Sequence, residues 1–73
     1  MDTTFDSLYR EVFTDDNTVK ACGREKCKQL IAECNRIKPG TDFGNIETGY
    51  MNVVNIIRLK NNLNFNFNTL EDI

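Results

Sequence analysis

The sequence predicts an all-α fold: a compact three-helix domain over residues 1–63, followed by an extended, strand-like tail over 64–73. Three observations lead there. Apolar residues recur at helical spacing in three separate stretches. Polar or glycine-bearing segments divide those stretches. From Leu63 onward the period changes to strict alternation of apolar residues with asparagine.

The first helix is expected over about residues 4–13. Phe5, Leu8, Tyr9, Val12 and Phe13 fall at i, i+3, i+4, i+7 and i+8, which makes one apolar stripe. Thr3 with Asp6 three residues on resembles a capping box, and the polar run from Thr14 to Asn17 stops the helix.

The second helix is expected over about 17–37. Val19, Gly23, Cys27, Leu30, Cys34 and Ile37 cluster on one side of a helical projection, with Ile31 beside them. Pro39 and Gly40 end it, because proline disfavours helix in the residue before it and glycine suits the turn. A glycine at position 23 would cost about 1 kcal/mol relative to alanine inside a helix. A start after Gly23 is the alternative.

The third helix is expected over about 42–62, capped by Thr41 or Asp42. Counted from Phe43, the residues Phe43, Ile46, Tyr50, Val53, Val54 and Ile57 make a core stripe. Ile56, Leu59 and Leu63 then fall on nearly the opposite side, and a helix apolar on two sides packs on two sides. In the tail, Leu63, Phe65 and Phe67 alternate with asparagine, a strand signal. A lone strand leaves its backbone groups unpaired, so the tail must lie across the helices, pair with another chain or stay mobile.

Size and composition bound the function. At 73 residues the chain is one domain that buries only about 60% of its unfolded surface, so a partner or a second copy would add stability. No apolar run approaches the roughly 20 residues that span a bilayer, and the first residues lack a basic-then-apolar leader. A cytoplasmic location with reduced thiols is the expectation, with no membrane partner. Ten asparagines, with many lysines and isoleucines, give the chain the look of an AT-rich genome such as that of a phage, mobile element or low-GC bacterium.

There is no histidine, which removes the commonest general base and metal ligand. The three cysteines are spaced C-x4-C-x6-C, without a C-x2-C knuckle or a fourth ligand. On a helix running through Gly23, Cys22 points about 140° away from Cys27, so the three sulfurs do not converge. Cys27 and Cys34 are expected as small apolar core residues. Cys22, near Lys20, Arg24 and Lys26, is either an ordinary exposed thiol or one of lowered pKa. Tyr9 and Tyr50 are expected in the core with hydrated hydroxyls. Asp15-Asp16 and Glu71-Asp72 have no matching catalytic or ligand set at a recognisable spacing. No metal, no cofactor and no enzymatic activity are therefore expected.

Charge is segregated. Residues 1–19 carry a net −4, residues 20–38 a net +4, and the remainder −2. Lys20, Arg24 and Lys28 are expected on one flank of the second helix, where they would steer an acidic protein partner. Nucleic acid is disfavoured by a pI of about 4.9 and by the absence of stacking aromatics in the basic segment. The leading expectation is a small non-catalytic protein-binding module, acting as regulator, adaptor or inhibitor. Its apolar contacts would be Ile56, Leu59, Leu63, Phe65 and Phe67, and its basic contacts Lys20, Arg24 and Lys28. The alternatives are a homo-oligomeric assembly protein and a nucleic-acid regulator using the basic flank.

Overall fold

The computed structural model describes the backbone of residues 3–21 and 23–71 and the side chains of residues 4–21 and 23–63. The element order is α1 (Thr3–Val12), α2 (Arg24–Ile37), β1 (Gly44–Asn45), β2 (Tyr50–Met51) and α3 (Val53–Glu71). Three helices therefore stand as the periodicity predicts, but a two-stranded antiparallel sheet lies between the second and third, so the fold is not purely α.

α1 buries the stripe read from its spacing. Phe5, Tyr9, Val12 and Phe13 are all in the core, and Leu8 packs at its margin. The rings form a ladder at i, i+4 steps: Phe5 to Tyr9 at 5.8 Å and Tyr9 to Phe13 at 4.5 Å, the second pair stacked. After Val12 the chain reverses. Phe13 bridges Val19, and the Lys20 N–H donates to the Val12 carbonyl at 2.7 Å. Asn17 takes a left-handed φ of 63° in this reversal, a conformation asparagine tolerates better than most residues. Its Oδ1 accepts the Tyr9 hydroxyl at 2.5 Å, which ties the turn to the helix it follows.

α2 begins at Arg24, the alternative start after Gly23, and not at residue 17. Gly23 is its N-cap, with extended φ −69° and ψ 158° and no side-chain cap bond. The reversal takes the Thr18 carbonyl, which accepts the Thr14 N–H at 2.8 Å and would be an intrahelical acceptor in a helix starting near residue 17. Val19 and Gly23 therefore leave the predicted stripe, and Val19 is 45% exposed. The rest of the stripe holds: Cys27, Leu30, Ile31 and Cys34 are buried against α1, and Ile37 packs at the edge of the core.

Residues 42–52 are a hairpin, where the sequence predicts the first turns of a helix. The Gly44 N–H donates to Asp42 Oδ1 at 3.1 Å, and Asn45 Oδ1 accepts the N–H groups of Glu47 and Thr48 at 2.8 and 3.2 Å. Such Asx bonds favour turns over helix. Gly44 pairs with Met51 and Asn45 with Tyr50. Gly44 has φ +125°, and a Cβ there would lie 2.2 Å from the Tyr50 carbonyl oxygen, so only glycine fits. Asn52 then caps α3: its Oδ1 accepts the Asn55 N–H at 3.4 Å, and its carbonyl accepts the Ile56 N–H at 3.1 Å.

Starting the helix at Val53 resets its phase. Ile56 (0% exposed) and Leu59 (5%) face the core, with Val53 and Leu63 packed beside them. Phe43 still enters the core, but from the loop. The α3 backbone stays helical to Glu71, where alternation predicts extended chain. No proline or glycine interrupts residues 53–71, so a started helix propagates, and β1 and β2 pair with each other rather than with residues 63–68. Lys60 places its Nζ 5.7 Å from the centroid of the Tyr9 ring, which links α3 to α1.

Candidate functional site

Of the five apolar residues expected at a docking face, the three whose side chains are described turn toward the core. Ile56 and Leu59 are core residues in this fold, and Leu63 packs against the same core. The side chains of Phe65 and Phe67 lie outside the described residues. The inversion has a single cause. Helical steps counted from Phe43 run across a hairpin before they reach Val53, so Ile56 and Leu59 turn inward and Val54 turns outward, while Val53 stays at the margin of the core.

The three basic residues also do not share a helix flank. Lys20 precedes α2, and its ammonium donates to the Arg10 carbonyl at 2.7 Å. Arg24 and Lys28 are one turn apart on α2 and lie beside the hairpin tip, where a Cβ added at Gly49 would come within 3.6 Å of the Arg24 Cβ and 3.7 Å of the Lys28 Cγ. Arg24 reaches the Thr48 carbonyl at 3.5 Å, and Lys28 pairs with Glu25 at 3.5 Å. Each cation thus has an intramolecular acceptor, although exposed pairs of this kind hold by little.

Cys27 and Cys34 are buried, as their positions on the stripe predict. They sit seven residues apart on one helix, about 10 Å along its axis, too far for a disulfide. Burial, reinforced by the neighbouring Glu33 carboxylate, pushes the Cys34 thiol up to about 12, so it stays protonated and unreactive. Cys22 lies outside the described residues. Because α2 starts at Arg24, its helical projection no longer applies. Among the described residues, no group of three His, Cys, Asp or Glu side chains converges on a point. Tyr9 is buried, and burial raises its phenol above the usual value.

Tyr50, expected in the core, is 79% exposed. It is one of four large apolar side chains that reach solvent among the described residues. The others are Val54 at 59%, Val19 at 45% and Ile46 at 44%. Three of these four, Ile46, Tyr50 and Val54, line one open groove of about 880 Å³ between the hairpin and the first turn of α3. Met51 and Val53, both partly buried, join the groove to the core. Among the described residues, Asp42 and Glu47 bring the only charged side chains to its walls, and Asn35, Asn45 and Asn52 add carboxamides.

Rigid local structure holds this groove. The Asn55 side chain donates from Nδ2 to the Asp42 carbonyl at 2.7 Å, pinning the start of the hairpin to α3. The hairpin closes through Gly49 N–H to the Asn45 carbonyl at 2.8 Å and Asn52 N–H to the Phe43 carbonyl at 3.0 Å. The sequence carries a signal for this site that helical periodicity hides: Asp42, Asn45, Thr48 and Asn52, interleaved with Gly44 and Gly49, are a run of turn and cap residues.

No helix among the described residues is long and apolar enough to cross a membrane. No protein-family model, no curated protein and no solved structure matches this chain.

Proposed function

We propose that this chain is a small non-catalytic protein-binding module that docks on a partner through the groove between the hairpin and α3. By covering a surface of that partner it would act as a regulator, adaptor or inhibitor. The observation that carries this reading is the concentration of exposed apolar side chains. Single exposed apolar residues are normal on any protein surface, whereas Ile46, Tyr50 and Val54 are gathered in one concavity. A mostly exposed tyrosine with an apolar body and a polar tip is also a common anchor at protein interfaces.

The ionisable groups support the non-catalytic part of the reading. The shifts at Tyr9 and Cys34 both run toward the protonated form, away from a nucleophile or base at neutral pH. The test is selection of binders from a displayed random peptide library, then an NMR titration of the labelled protein with a selected peptide. Saturable shifts at Ile46, Tyr50 and Val54, abolished by Tyr50→Ser with the fold retained, are expected. Selected peptides that bind elsewhere, or concentration-dependent dimerisation through this same groove, would contradict the reading.

A further inference from the structure

The groove has a chemistry that narrows its occupant. Among the described residues its side walls carry two carboxylates, Asp42 and Glu47, and no lysine or arginine. Both carboxylates reach solvent. Four acids elsewhere on the described surface are matched, Asp6 with Arg10, Glu11 with Lys26, Glu25 with Lys28, and Glu33 with Arg36, while Asp15 and Asp16, in the reversal after α1 and away from the groove, make no ion pair among the described residues. Neither Asp42 nor Glu47 makes an ion pair among the described residues. Asp42 spends one carboxylate oxygen on the Gly44 N–H, which orients the group and leaves its charge unmatched. Lys20, Arg24 and Lys28, in contrast, are drawn to α1, the hairpin tip and Glu25.

We infer that the groove takes a cationic, apolar-anchored protein segment: a stretch that presents one bulky apolar side chain to Ile46, Tyr50 and Val54 and places lysine or arginine against Asp42 and Glu47. This deepens the docking function proposed above and rests on it. The apolar anchor supplies affinity through surface removed from water. The two carboxylates supply orientation and discrimination, since a partner bearing acids at the same places meets repulsion. The Asn45 and Asn52 side-chain oxygens are committed to turn and cap bonds, so they hold the walls in place.

The test uses three short synthetic peptides with the same Phe-Leu anchor, flanked by lysines, serines or glutamates, each titrated into the labelled full chain by NMR at low salt. The lysine-flanked peptide is expected to shift the groove amides and to bind about tenfold more tightly than the glutamate-flanked one. The ratio is expected to shrink in high salt. It should also collapse in the Asp42→Asn/Glu47→Gln variant. It should persist in Asp15→Asn/Asp16→Asn, which removes the same net charge outside the groove. Groove binding with equal affinity for all three peptides would overturn the charge inference and leave the docking function standing. So would a preference that Asp15→Asn/Asp16→Asn abolishes equally. No shift at the groove from any of the three, or dimerisation of the chain through it, would overturn both.

Discussion

Replacing Ile56 and Val54 by alanine, each alone, gives opposite expectations in this structure and in a helix phased from Phe43. Ile56 is fully buried in a core shared with α1 and α2. Cutting it to alanine removes buried methyl groups and leaves a cavity, at a cost of about 2–5 kcal/mol. A domain of this length holds roughly 4–11 kcal/mol in total, so the loss is a large share. At about 4–8 °C per kcal/mol, a 3 kcal/mol loss lowers the thermal midpoint by about 10–25 °C. Val54 is 59% exposed on the first turn of α3. Its truncation removes little buried surface and exchanges a β-branched residue for the best helix former, so stability should move by no more than about 0.5 kcal/mol in either direction. The assay is thermal and urea unfolding followed by far-ultraviolet circular dichroism. Equal losses, or a greater loss at Val54, would refute the helix phase and with it the exposed groove.

Local geometry sets three further outcomes. Gly44→Ala forces a Cβ to within 2.2 Å of the Tyr50 carbonyl at φ +125°; it should cost at least about 1–3 kcal/mol in urea unfolding and broaden the hairpin amides in NMR spectra. Gly23→Asp supplies the missing side-chain cap at a helix N-terminus with open space around it, and should raise stability by a few tenths of a kcal/mol in the same assay. The Cys34 thiol is raised by burial from an ordinary value near 9 to about 12. The stability linked to that proton is fully present below pH 9 and is lost as pH climbs from 9 toward 12, at up to about 1.4 kcal/mol per pH unit. Cys34→Ala should reduce that slope in urea unfolding measured across the range.

How much of the fold is legible in the sequence differs element by element. α1 is readable almost to the residue, because its stripe and its polar stop agree. The inward face of α2 is readable too, since Cys27, Leu30, Ile31 and Cys34 repeat at helical spacing. Its start is not: Val19 happens to fall in phase with that stripe, while the Lys20 N–H is used by Val12 in a chain reversal. The largest error has one source, the assignment of Phe43 and Val53 to a single helix. Both are apolar and both touch the core, yet a hairpin separates them. Periodicity reports which residues are buried only within an element of known bounds. Here the turn chemistry of Asp42, Gly44, Asn45 and Gly49 sets the bounds. The candidate site is hidden for the same reason: a helix phased from Phe43 puts Ile46, Tyr50 and Val54 in the core, and their exposure is a property of the hairpin.

The most direct measurement is solvent accessibility of individual methyl groups, read by NMR as relaxation enhancement from a soluble nitroxide. Strong enhancement is predicted for Ile46 and Val54, and protection for Ile56 and Leu59 at the level of Leu30 and Ile31. Protected methyls at Ile46 and Val54, or exposed ones at Ile56 and Leu59, would contradict the account.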